Sequence, residues 1–106
     1  MPKYLLQVNY TAEGARGLHV DGGTKRQHAA RMATESVGGR LDAFYFAFGV
    51  HDAVCIVDVP DNVTMAALSL AVTESGAVEA VTTPLLTAED LDHAVSKHTA
   101  YRKPGA

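Results

Sequence analysis

The chain has 106 residues, enough for one domain with one core, and a domain of this size buries roughly 60 to 70% of the surface its unfolded form exposes. Its hydrophobic fraction of 47% and charged fraction of 20% are ordinary for a globular protein, and a formal net charge of -3 gives no basic footprint for nucleic acid. A single cysteine, Cys55, excludes an intrachain disulfide and a Cys-rich metal site.

Lys3 to Tyr10 alternates Tyr4, Leu6, Val8, Tyr10 against Leu5, Gln7, Asn9, which is the period of a strand. Thr11 offers a hydroxyl N-cap, but Gly14, Gly17, Gly22 and Gly23 interrupt the next stretch, so only a short irregular turn of helix is expected there. Thr24 to Val37 reads as helix, with Ala29, Met32 and Ala33 on an apolar stripe, and Gly38-Gly39 stops it. Arg40 to Phe48 reads as a strand with Leu41, Ala43, Tyr45 and Ala47 on one face and Asp42, Phe44, Phe46 and Phe48 on the other, apolar on both sides.

Gly49 to Asp52 is a short turn into a second apolar strand, Ala53 to Val59, and the two form an antiparallel hairpin that Pro60 ends. Asp61 or Asn62 caps a helix over Val63 to Ser75, Gly76 closes it, and a fourth strand covers Ala77 to Thr83. Thr87 and Asp90 have the spacing of a capping box for a last helix to about Thr99, and the polar end from Tyr101 to Ala106 either frays or docks on a neighbour. No basic segment precedes an apolar run at the N-terminus and no run approaches the roughly 18 residues of a membrane span, so a cytoplasmic protein without a membrane role is expected.

The order strand, helix, strand, strand, helix, strand is the ferredoxin-like βαββαβ arrangement. It is an α+β fold with helices over one face of a four-stranded antiparallel sheet. The face away from the helices is then too apolar for water, which predicts a homo-oligomer, a dimer or larger, packed sheet to sheet. The competing expectation is that the C-terminal segment from Leu85 folds over that face of its own sheet.

Gly49-Val50-His51-Asp52 ahead of Ala53-Val54-Cys55-Ile56-Val57-Asp58-Val59-Pro60-Asp61 resembles the hairpin of GYD domain proteins, and the likeness extends over nearly the whole chain. The resemblance implies a ferredoxin-like, dimeric α+β barrel. His51 stands where the Gly-x-Tyr-Asp motif has tyrosine, so an imidazole that titrates near neutrality replaces a phenol with pKa near 10.

His51 and Asp52 are the candidate catalytic pair, an imidazole for proton transfer beside a carboxylate, with turn-capping by Asp52 as the structural alternative. Gln7 and Asn9 share a face of a central strand and need hydrogen-bond partners, which a pocket ligand or the backbone can supply. Tyr45 offers a phenol, and Arg26 and His28 on the long helix are placed to overhang a pocket mouth. These five are the candidate ligand-binding residues. His93 and His98 are five apart and do not share a helix face, and no glycine-rich phosphate loop opens a helix. Neither a metal nor an organic cofactor is therefore expected.

Three functions are compatible with these features. The first is an isomerase, cyclase or oxygenase working by proton transfer on a hydrophobic molecule. The second is a non-catalytic ligand-binding or assembly protein. The third is a haem protein with a histidine ligand.

Overall fold

A computed structural model describes all of residues 1–106. It is an α+β structure consistent with a ferredoxin-like fold. In chain order the elements are β1 (Lys3–Tyr10), α1 (Ala12–Ser36), β2 (Arg40–Phe46), β3 (Ala53–Asp58), α2 (Asn62–Glu74), β4 (Val78–Leu85) and α3 (Ala88–Ser96). The four strands form one sheet in the order β2-β3-β1-β4, every neighbour antiparallel.

Register sorts the side chains into two faces. Toward α1 and α2 stand Tyr4, Leu6, Val8 and Tyr10 of β1, with Cys55 and Val57 of β3 and Leu41, Phe44 and Phe46 of β2. Tyr4, Leu6, Leu41, Cys55 and Val57 are buried there with Met65 and Leu68 of α2. Away from the helices, cross-strand rows run Ala43, Ile56, Leu5, Thr83 and then Tyr45, Val54, Gln7, Val81. One charged row, Arg40, Asp58, Lys3, closes that face at one end, with Lys3 Nζ 3.0 Å and Arg40 Nη2 3.2 Å from Asp58 Oδ2.

Two sequence expectations need correction. The alternation expected in β2 fails at Asp42, where a bulge inserts one residue between Leu41 and Ala43. The bulge moves Leu41 to the helix side with Phe44 and Phe46, and leaves Ala43 and Tyr45 outside. Asp42 is then free to bond Lys3 and Arg40, which together hold its carboxyl below the usual carboxylate range. The outer face is thus apolar through Leu5, Ala43, Tyr45, Val54, Ile56 and Val81, not through the phenylalanines.

The second correction concerns the glycine-rich stretch, which is helical. One helix, α1, runs from Ala12 to Ser36 with a single break at Gly22, whose φ of 78° and ψ of 173° suit glycine alone. Tertiary anchoring overrides the weak local propensity. Thr11 caps the helix by accepting from Gly14 N at 3.1 Å, while its backbone N–H and hydroxyl bond Ala77 O at 3.0 Å and Gly76 O at 2.9 Å.

The Asp61 cap and the Thr87–Asp90 capping box form as the sequence indicates. The arm beyond β4 does not fold over its own sheet. Every residue from Leu86 to Ala106 is exposed, and α3 buries nothing. Its apolar residues Leu91 and Val95, four apart on one face, are bare. The radius of gyration, 16.8 Å against roughly 13 Å for a compact chain of this length, reflects this projecting shape.

Candidate functional site

Between the sheet and the helices α1 and α2 lies an inner cavity of about 70 Å³. Small side chains make it: Ala30 and Ala33 on the second half of α1 and Ala53 on β3 leave a gap that Leu6, Val8 and Phe44 do not close. Thirteen of its fifteen lining residues are hydrophobic, and Arg26 is the only charged one. Thr34, the other polar lining residue, spends its hydroxyl on Ala30 O at 2.8 Å. Cys55 faces this cavity, and burial pushes its thiol up to about 11, so it stays protonated and inert near neutrality.

An outer cleft of about 430 Å³ lies beside the cavity, and Tyr10 lines both. The first half of α1 supplies one wall of the cleft with Ala15 and Leu18, and the end of β2 supplies the other with Phe46 and Ala47. Asp52 lies in the same cleft, where its carboxylate accepts from Tyr10 N at 2.9 Å. Burial raises the Tyr10 phenol above its ordinary value, and the guanidinium of Arg26 beside it pulls the other way. The phenol is therefore a neutral donor near pH 7, next to a cation.

The candidate residues divide between the two sides of the sheet. Arg26 and Asp52 belong to the cavity and cleft on the helix side. Asn9 and Gln7 lie on the open face, and Asn9 finds its partners in the hairpin turn. Its Nδ2 donates to Val50 O at 3.1 Å and its Oδ1 lies 2.8 Å from His51 Nδ1. Gln7 makes no side-chain hydrogen bond within the chain. Tyr45 is exposed on the open face and borders a shallow groove at the β2 edge with Gln27 and Arg31.

His28 is exposed on α1, and none of the five histidines lines the inner cavity or the outer cleft. No three His, Cys, Asp or Glu side chains converge as a metal site would require. Nor is any helix long and apolar enough to cross a membrane.

The contact between Asn9 and His51 fixes a tautomer. Only the NH₂ of an amide can donate to the Val50 carbonyl, so Oδ1 must face His51 and accept from an Nδ1–H. When the ring is neutral, Nε2 carries the lone pair. His51 and Asp52, adjacent in sequence, serve opposite sides: one bonds a side chain of the open face, the other the backbone at the cleft.

Tyr10 is a site residue absent from the candidates that the sequence suggests. Its signal is the alternation of β1, which places it in phase with Tyr4, Leu6 and Val8 toward the helices.

The GYD domain family model matches residues 4–95, from β1 to near the end of α3. The chain belongs to the GYD domain family. The match includes the hairpin in which His51 stands ahead of Asp52, as well as the whole sheet and both helices that enclose the cavity. No curated protein and no solved structure matches this GYD domain.

Proposed function

We propose that this GYD domain binds a small hydrophobic molecule between its sheet and helices, and does so as a homodimer joined through the open sheet faces. The observation that carries the binding role is the apolar cavity beside a larger cleft, the two sharing Tyr10 as a lining residue. A core packed to ordinary density leaves few voids larger than a water molecule. The outer cleft lies within the roughly 300 to 1,000 Å³ of small-molecule sites, with the inner cavity as the apolar space beside it. Filling that space should block binding. Ala30→Leu is expected to weaken binding of the neutral probe 2-naphthamide at least about tenfold, measured by fluorescence titration, while leaving the melting temperature unchanged or higher. Unaltered affinity in this variant would place the ligand elsewhere.

Support for the dimer is the outer face itself, where Ile56, Val54, Leu5 and Tyr45 form an apolar surface, with Val81 beyond Gln7, that no element of the chain covers. Two sheets stacked face to face about 10 Å apart bury it in a two-fold assembly. The projecting α3 docks its Leu91 and Val95 face on the partner. A cytoplasmic setting fits the lone, buried and reduced Cys55.

One observation favours an enzymatic second role. His51, held by Asn9 with Nε2 as the free base of its neutral ring, is equipped for proton transfer of the isomerase, cyclase or oxygenase kind without metal or organic cofactor. Nitrogen-detected NMR of the histidine rings checks the arrangement. The neutral His51 ring should be the Nδ1–H tautomer and should lose that preference in Asn9→Ala. An Nε2–H tautomer in the wild type would remove the free base and this role with it.

A further inference from the structure

Arg26 is a partly exposed residue that lines the apolar cavity beside the Tyr10 phenol, and it makes no ion pair with a carboxylate. All five ion pairs of the chain lie at the other end of the sheet, among Met1, Lys3, Arg40, Asp42 and Asp58. A charge withdrawn from water without a counter-ion is costly, and proteins ordinarily pair it. The remaining arginines apart from Arg40, namely Arg16, Arg31 and Arg102, are exposed and need no such compensation. Arg26 is the exception.

We propose that the ligand of the cavity is an apolar molecule carrying a single oxyanion, a carboxylate or its equivalent, which completes the missing pair with Arg26 and accepts a hydrogen bond from the Tyr10 phenol. This inference rests on the ligand-binding role proposed above and specifies its ligand.

Two features set the polarity. The guanidinium is the only formal charge lining the inner cavity, so an apolar body can enter that space with an anionic group held at Tyr10, which lines both cavity and cleft. Asp52 is the one acidic group nearby, and its carboxylate is already engaged by Tyr10 N–H. At the Tyr10 side chain Arg26 favours negative charge more than Asp52 opposes it, while burial disfavours charge there, so an oxyanion is held at this point only by pairing with the guanidinium. A planar guanidinium and a neutral phenol give directed donors to an oxyanion, where a lysine would give only a point charge.

The test compares 2-naphthoate with its neutral isostere 2-naphthamide. Wild-type protein should bind naphthoate at least about tenfold more tightly, the margin of one additional charged contact. Arg26→Gln should bring naphthoate down to the affinity of naphthamide while leaving naphthamide within about twofold, which also reports that the variant is folded. Tyr10→Phe should lower the naphthoate preference in part.

Equal binding of the two probes by the wild type, with both bound, overturns the anion inference and leaves the hydrophobic site standing. So does a naphthoate preference that survives Arg26→Gln. Binding of neither probe overturns the site itself and the inference with it.

Discussion

Replacing Ile56 with arginine is expected to turn the proposed sheet-to-sheet dimer into monomers of 11.2 kDa at micromolar concentration with the fold intact. Ile56 lies on a central strand of the sheet, on the face away from the helices, with Ala43 and Leu5 as its cross-strand neighbours. In the free subunit an arginine there extends into water and keeps its hydration, so circular dichroism and cooperative unfolding should persist. In the sheet-to-sheet dimer two such charges, one from each subunit, would be buried close to the two-fold axis. Desolvation costs several kcal/mol per ion and like charges add to it, which is comparable to the whole stability of an ordinary interface. The dimer dissociation constant should rise by more than about a hundredfold. A variant that stays dimeric with wild-type affinity would show that the subunits meet through another surface.

The second large effect is expected at Gly14. A Cβ at this position would lie 1.8 Å from the carbonyl oxygen of Ala77, a backbone atom that cannot swing aside. The first turn of α1 therefore rests directly on the chain between α2 and β4, where Thr11 ties it down through its backbone N–H to Ala77 O and its hydroxyl, which is shared between Gly76 O and Ala77 O.

Gly14→Ala has two opposing consequences. Helix propensity favours alanine by about 1 kcal/mol. The clash forces the first half of α1 off its seat and strains or breaks those bonds, at a cost of about 3 kcal/mol. The clash wins, and the melting temperature should fall by roughly 10 °C. Because Ala15 and Leu18 on the same helical half wall the outer cleft, ligand affinity should fall with it. A variant more stable than the wild type would mean that the α1 terminus does not sit against Ala77.

The features legible in the sequence are those that local chemistry decides. The alternation of Tyr4 to Tyr10, the hairpin turn at Gly49 to Asp52, the Thr11 cap and the Thr87–Asp90 box all act within a few residues of themselves. The features that escape are decided at a distance. The first half of α1 is helical despite four glycines because Thr11 bonds residues 65 and 66 positions away. Leu41 points to the core because a bulge at Asp42 shifts the phase of β2, and the bulged carboxylate is held by Lys3 on another strand.

The same division applies to the site. Arg26 is recognisable from sequence as a helix residue able to overhang a pocket. The contact of His51 with Asn9 spans 42 positions and depends on the order of strands, which no short motif encodes. The separation of His51 from Asp52 across the sheet runs against strand alternation, which from helix-facing Ala53 would send Asp52 to the open face, so it is set by the turn, where Asp52 bonds Tyr10 N and His51 bonds Asn9.

Light scattering of the wild-type protein after size exclusion tests the sheet-to-sheet dimer most directly. A particle with the mass of two 11.2 kDa chains that persists into the low micromolar range is the expected result. A particle of one chain under those conditions would contradict it, because the face formed by Leu5, Val54, Ile56, Tyr45 and Val81 would then be stable in water uncovered.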